Sequence, residues 1–347
     1  MFKVLIIGAG SIGNHLAFAC RQKNWDVTMM DIDQKALDRT REMIYPSRYQ
    51  KWDLEIKLEI YNLRSIHEDT DLVIIGTPPN SHIQIAYEVI KGIKPKVILI
   101  EKPLVGMMDS TKDLEKFNQY ANNQQTKVLV GYNHVLTENT KIVESLIDDG
   151  FIGEPQFMEV IWREHWGGIF KAHPWLSGPQ DSYLGDFNLG GGAGFEHSHG
   201  INIWQHFSRY LKKGKIKQFK SEISFTQFEN LNYDSIFQLI VTSENGLNGY
   251  IMQDVITSPA QKKLTIQGTE GYIEWHANYD EGYDAVIYYD DEKKKNIQLI
   301  KKTRPDDFKN EINHIEDILM NNVAFSDSPI KLENAIETIK ILHSVFF

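Results

Sequence analysis

The 347-residue chain contains a single cysteine, Cys20. An intrachain disulfide is therefore excluded, and with it the secreted scaffolds that depend on one; a reducing, cytoplasmic setting is expected. Long apolar runs are also missing. The strongest, Val4-Leu5-Ile6-Ile7 and Val97-Ile98-Leu99-Ile100, fall far short of the roughly 20 residues that cross a bilayer as a helix, so no membrane association is expected. The opening Met1-Phe2-Lys3-Val4 runs straight into a strand pattern, and no cleavable leader is expected. Positive charge is in deficit: 37 Lys+Arg face 47 Asp+Glu, a net charge of −10. That balance argues against a nucleic-acid partner bound by general phosphate neutralisation. Internal repeats and low-complexity segments are absent. What remains is an ordinary folded composition, 41% hydrophobic and 24% charged. Single cores stop growing near roughly 250–300 residues, so two domains are expected.

The first 133 residues alternate between two textures. Lys3–Ile7, Asp26–Met30, Asp71–Ile75, Lys96–Ile100 and Lys127–Gly131 are short runs rich in Val and Ile, the pattern of strands buried on both faces of a parallel sheet. Helical patterns such as Ser81–Ile90 and Ser110–Tyr120 lie between them. Alternation of this kind predicts an α/β doubly wound sheet. After about residue 150 the texture changes. Pro155–Trp162, Phe219–Phe228, Ser235–Thr242, Lys263–Gln267 and Asp284–Tyr289 alternate β-branched or aromatic residues with polar ones, and glycine turns punctuate them. They predict a large open, mainly antiparallel sheet in an α+β domain. Helices are expected at 194–210, 306–320 and 332–346. The expected division is a first domain at 1–133 and a second at 134–347, with the last helix able to pack back on the first.

Gly8-Ala9-Gly10-Ser11-Ile12-Gly13 follows the first strand and opens a helix. Three glycines have three tasks there: a tight turn at Gly8, backbone approach to a pyrophosphate at Gly10, and close packing of helix on strand at Gly13. The helix start offers N–H groups to the phosphates, including those of Ser11 and Ile12. The second strand ends at Asp31, placed to accept hydrogen bonds from ribose hydroxyls and to repel a 2′-phosphate. NAD is therefore favoured over NADP. Asp33 is expected to cap the helix that follows.

Ligands of open α/β sheets sit beyond the carboxyl ends of the strands. The residues there are Gly76-Thr77-Pro78-Pro79-Asn80-Ser81-His82, Glu101-Lys102-Pro103 and Gly131-Tyr132-Asn133-His134. Lys102 follows a wholly apolar strand and is aimed into the crevice, able to donate to a substrate oxygen. Together with the glycine loop, the Thr-Pro-Pro-Asn-Ser-His and Glu-Lys-Pro segments resemble the glucose–fructose oxidoreductase and inositol dehydrogenase family, Gfo/Idh/MocA. The resemblance extends through Gly190-Gly191-Gly192 to Ile266–Glu274. It implies an N-terminal Rossmann domain and a catalytic lysine, matched by Lys102. Thr77, Pro78, Asn80, His82, Glu101 and Lys102 are the cofactor contacts expected beyond the loop and Asp31.

Five of the 12 histidines, His165, His173, His197, His199 and His206, fall within residues 165–206. In the family a histidine here accepts the hydroxyl proton, and Ser198-His199-Gly200-Ile201-Asn202 matches it at His199, whose ordinary pKa near about 6.5 suits the task. The chain departs from the family at Phe195, where some members carry aspartate, at Asn202, where aspartate is usual, and at Val135, where arginine is frequent; Glu196, one position from Phe195, is expected to substitute as a catalytic residue. His197-x-His199 suits no single metal, and no metal is expected. His173-Pro174-Trp175-Leu176, followed by Tyr183, resembles a subset of the family linked to surface-polysaccharide sugars. Asn133, Arg163, Trp166, Trp175, Tyr183 and His199 are the expected substrate contacts, since aromatic faces and polar edges suit a sugar ring.

These readings converge on an NAD-dependent dehydrogenase of a sugar, sugar derivative or polyol, assembled as a homodimer or homotetramer. Two alternatives stay open: an NAD-dependent glycoside hydrolase with transient redox, and a non-catalytic dinucleotide-binding sensor.

Overall fold

The computed structural model describes residues 1–62, 69–171, 175–228, 231–289 and 294–346. It divides into two compact units, Met1–Asn133 with Pro305–Ile339, and His134–Arg304 with Lys340–Phe347.

The first unit is built on β1 (Lys3–Ile7), β2 (Asp26–Asp31), β3 (Ile56–Ile60), β4 (Leu72–Ile75), β5 (Val97–Ile100) and β6 (Lys127–Val130), a parallel sheet in the order β3-β2-β1-β4-β5-β6. Strands β4 and β5 are buried at every position, as consecutive apolar residues between two helical layers require. Helices α1 (Ser11–Gln22), α2 (Gln34–Arg39), α3 (Tyr45–Tyr49), α4 (His82–Gly92) and α5 (Thr111–Asn123) make the crossovers. A π turn over Thr40–Ile44 joins α2 to α3. Asp33 caps α2 by accepting from Lys35 N. The chain leaves β1 toward β2 on one side and β4 lies on the other, so the reversal point, with its crevice, falls between β1 and β4. Cys20 is fully buried in α1, where burial pushes its thiol pKa up, so it packs and is not poised as a nucleophile.

The second unit holds an eight-stranded sheet of β7 (Pro155–Arg163), β8 (Ile216–Phe228), β9 (Leu231–Ser243), β10 (Asn248–Asp254), β11 (Gln261–Gly268), β12 (Tyr272–Asp280), β13 (Tyr283–Tyr289) and β14 (Lys295–Lys301), in the order β14-β13-β12-β11-β7-β10-β9-β8. Every pairing is antiparallel except β7 with β10. One face is covered by α6 (Glu138–Asp148), the short α8 (Gly192–Glu196) and α9 (His199–Tyr210); α7 (Trp166–Lys171) follows β7. Trp204 of α9 is fully buried and donates to Met158 O at 3.0 Å, and Trp275 of β12 donates to Thr140 Oγ1 of α6 at 3.0 Å. The strand registers put Phe157, Ile161, Ile240, Ile297 and Leu299 on the opposite face. Ile240 is 62% exposed there and Leu299 52%.

The expected boundary gave all of 134–347 to the second domain; Pro305–Ile339 instead completes the first unit. The cause is the open edge of β6. Val130 N donates to Ile330 O at 2.8 Å, Leu129 bridges Lys331, and α10 (Arg304–Leu319) buries Phe308, Ile312, Ile315 and Ile318. The last helix, α11 (Leu332–Phe346), passes from one unit's residues to the other's at Ile339 and Lys340. Among the described residues no helix is long and apolar enough to cross a membrane.

Candidate functional site

Each unit carries its own set of chemically active residues. In the first, Gly8 has φ +110°, and a Cβ on it would collide with the Gly76 carbonyl oxygen. A Cβ on Gly13 would collide with the Gly8 carbonyl oxygen, whereas at Gly10 it would meet nothing within 4 Å. Two glycines are thus demanded by packing, and the third leaves the space over the loop open to a ligand. Helix α1 starts at Ser11 with no side-chain cap, which leaves its first-turn N–H groups to an anion. Asp31 sits against the loop: Ala9 N donates to its Oδ2 at 2.8 Å and Asp33 N to its Oδ1 at 2.9 Å. A carboxylate has about four acceptor positions, so two remain for ribose hydroxyls. These residues fit a dinucleotide.

The other crevice loops are tied to one another. His82 is 1% exposed, with Nε2 2.7 Å from Thr77 O and Nδ1 3.1 Å from Leu104 O. Burial pushes its pKa down to about 4 against the pull of those carbonyls, so the ring is neutral. His82 was expected to contact cofactor. Its neutral ring lies between the carbonyl oxygens of Thr77 and Leu104 and donates its single N–H to one of them. Thr77 Oγ1 lies 2.7 Å from Ser81 Oγ, tightening the Thr77–Pro78 turn. Glu101 is buried at the end of β5; its Oε2 accepts from Lys102 N at 3.3 Å, and its carboxyl fills the space a Gly131 side chain would need. Glu311 of α10 is fully buried, and burial, then the neighbouring Glu101 and Asp307 charges, drive its pKa well above the carboxylate range; Asn133, 7% exposed, opposes the shift in part.

In the second unit four rings cluster. His199 stacks on Trp162 (centroids 5.4 Å, 24°), Trp162 on Trp275 (6.0 Å, 24°), and His134 meets His199 edge to face at 4.7 Å and 87°. His134 Nδ1 is buried with no hydrogen-bond partner among the described residues. Burial, then the charges of His199, Lys302, Lys262 and Arg304, push its pKa well below the histidine range. Tyr183 donates to Glu196 Oε2 at 3.2 Å. Arg163 Nε donates to the buried Asp254 Oδ2 at 2.6 Å, and Lys262 Nζ lies 2.7 Å from Glu164 Oε2, so both cations have acidic partners. Trp166 is 7% exposed and meets Tyr233 edge to face at 5.5 Å. Trp175 is half-buried. His173 and Pro174 lie outside the described residues. His206 pairs with Glu144 at 2.8 Å, and His197 is 3% exposed with Nε2 3.4 Å from Glu164 O, both built into the packing.

The chain was compared with known proteins. Residues 2–132 match the model of an oxidoreductase family with an NAD-binding Rossmann fold, GFO_IDH_MocA. That likeness covers the first unit and does not extend by sequence to the second. No curated protein matches the chain by sequence. Solved structures match over nearly the whole chain. An NAD-binding oxidoreductase from Klebsiella pneumoniae is 17% identical with a TM-score of 0.77, covering 99% of this chain and 96% of that one. The WlbA dehydrogenase from Bordetella pertussis, in complex with NADH and UDP-GlcNAcA, is 15% identical with a TM-score of 0.70, covering 99% and 95%. A putative myo-inositol dehydrogenase from Sinorhizobium meliloti is 16% identical with a TM-score of 0.73, covering 100% and 98%. At such identities the likeness is one of fold. The family matched by residues 2–132 has an NAD-binding Rossmann fold, and NAD is the cofactor that this unit takes.

The structure also shows what became of the departures from the family pattern. Phe195 is fully buried and stacks on Phe346 at 12°, and Val135 is 4% exposed. An aspartate at 195 or an arginine at 135 would place charge in apolar packing. Asn202 is 2% exposed with its Nδ2 lacking a partner among the described residues. The crevice segment Gly131-Tyr132-Asn133-His134 includes His134 without giving it a role, and Glu311 comes beside Glu101 only by folding.

Proposed function

We propose that this chain is a dehydrogenase of the Gfo/Idh/MocA type that moves a hydride between a CH–OH carbon of a sugar, sugar derivative or polyol and NAD, in the cytoplasm. NAD, when bound, supplies the nicotinamide ring as hydride acceptor. Lys102 donates a hydrogen bond to the oxygen being oxidised, and His199 takes the hydroxyl proton as the carbinol carbon gives up its hydride. Glu196, held by Tyr183, orients the sugar, and Asn133, Arg163 and Trp175 add polar and aromatic contacts. The observation that carries this reading is the setting of Lys102. It follows β5 in an NAD-binding unit, its main chain is bonded to Glu101, and its loop lies against the buried His82 ring, whose Nδ1 is 3.1 Å from Leu104 O. The complex of the Bordetella dehydrogenase with a UDP-sugar acid and the naming of the Sinorhizobium protein as an inositol dehydrogenase support a carbohydrate or polyol, and a surface-polysaccharide sugar is the narrower form of the proposal.

The test is NADH formation with pure protein, NAD and a panel of sugars and polyols. Lys102→Met is expected to leave NAD affinity within about twofold and to lower turnover by at least about a hundredfold; full turnover in that variant refutes the role of Lys102. Product release without net NADH would favour the hydrolase reading, and tight NAD binding without turnover the sensor. We further propose that the apolar face carrying Phe157, Ile240 and Leu299 joins copies of the chain into a dimer or tetramer. Light scattering is expected to give a multiple of the chain mass, and a monomer refutes it.

A further inference from the structure

Arg48 of α3 lies 37 residues from Ser11 in sequence, yet its guanidinium donates twice to that residue: Nη1 to the main-chain oxygen at 2.8 Å and Nη2 to Oγ at 2.7 Å. The same helical run grips the loop a second time. Thr40 Oγ1 donates to Ala9 O at 2.6 Å, while Asn14 Nδ2 donates to Thr40 Oγ1 at 3.2 Å and to Gly10 O at 2.8 Å. The π turn over Thr40–Ile44 lies between these two points of contact; such turns are rare and concentrate at functional sites.

The direction of the Arg48–Ser11 bond is fixed by chemistry. A guanidinium has donors only, so Ser11 Oγ must accept. The hydroxyl proton of Ser11 then points elsewhere, and among the described residues Ser11 Oγ donates to nothing. Ser11 stands beside Gly10, where the space is open, on the first turn of a helix with no side-chain cap. A hydroxyl that accepts from a cation is polarised into a stronger donor. In a chain of net charge −10, a cation fixed at this loop also offsets a field that would repel a dinucleotide.

We propose that Arg48 and Ser11 act as one unit that recognises the diphosphate of the dinucleotide, with Arg48 holding the Ser11 hydroxyl as an acceptor so that its proton is presented to a phosphate oxygen. The proposal rests on NAD binding by the first unit and assigns this recognition to a residue no loop motif includes.

ADP and adenosine test it, because they share adenine and ribose and differ in the diphosphate. Both are titrated calorimetrically into the full chain, alongside NAD as a control. Arg48→Gln is expected to weaken ADP about tenfold and leave adenosine unchanged. Ser11→Ala is expected to do the same, and the double variant to be no weaker than Arg48→Gln alone, as for residues acting together. Arg48→Lys, which keeps the charge and loses the fork, should fall between. Equal losses for adenosine and ADP, or no loss for ADP, overturn the proposal; with NAD still bound by the wild type, the cofactor reading survives that result. If Arg48→Gln does not fold by circular dichroism, Ser11→Ala and Arg48→Lys decide alone: an ADP-selective loss supports the unit, and none overturns it.

Discussion

The carboxyl group of Asp234 has no route to water: the residue is 0% exposed on β9. Its Oδ2 accepts from Gly194 N at 2.6 Å, and its Oδ1 has no partner among the described residues. A Cβ on Gly192 would collide with that Oδ1, so Asp234 explains part of the glycine-rich stretch leading through α8 toward Glu196 and His199. Burial pushes its pKa from 3.8 up to about 8, with the Gly194 bond pulling the other way. The folded state therefore keeps a proton that the unfolded chain gives up above its ordinary value. Stability from this group is complete below about pH 4 and is lost as pH rises toward about 8, at no more than about 1.4 kcal/mol per pH unit. Asp234→Asn copies the neutral form and lacks this loss. Urea denaturation at pH 5 and pH 8 is expected to show wild type falling relative to the variant across that interval. Parallel behaviour of the two proteins would mean that the carboxyl is ionised in the fold.

At the scale of elements, the parallel sheet was legible because its signal is local. Four consecutive buried positions in β4 and in β5 read as apolar runs whatever surrounds them. Strand β3 was not legible. Its sequence Ile56-Lys57-Leu58-Glu59-Ile60 sits at the sheet edge with only Ile56 buried, and charged, exposed edge strands resemble loops. The expected helix over 194–210 is two helices. Ser198 N turns back to Phe195 O and Gly200 N to His197 O, and glycines at 192 and 194 leave α8 too weak to dictate a continuous axis. The parallel pairing of β7 with β10 could not be read from alternation, which carries no strand direction. Candidate site residues follow the same rule. The glycine loop, Asp31 and Lys102 are marked by what precedes them in the chain. His82 was marked as a cofactor contact, and its place between Thr77 O and Leu104 O, the latter 22 residues away, was not legible.

The molecule as a whole does not divide where its sequence texture does. The Rossmann texture stops near residue 133, yet the compact unit that contains it also takes Pro305–Ile339. Those residues bring more than cover for an edge. Glu316 pairs with Lys23 of α1, Phe308 stacks on His15 at 4.6 Å and 5°, and Glu311 places its neutral carboxyl beside Glu101 at the end of β5. A fragment of residues 1–133 would expose the apolar surface that Phe308, Ile312, Ile315 and Ile318 cover, along with the unpaired Val130 N–H, and exposed strand edges with apolar faces aggregate. Residues 1–133 expressed alone are therefore expected to be insoluble or to melt without a cooperative transition. The same residues joined to 305–339 by a flexible glycine–serine linker are expected to melt cooperatively and to bind NAD within about tenfold of the full chain. Cooperative folding of 1–133 alone, with equal melting temperature, would show that the returning helices are an accessory to the nucleotide unit, not a structural part of it.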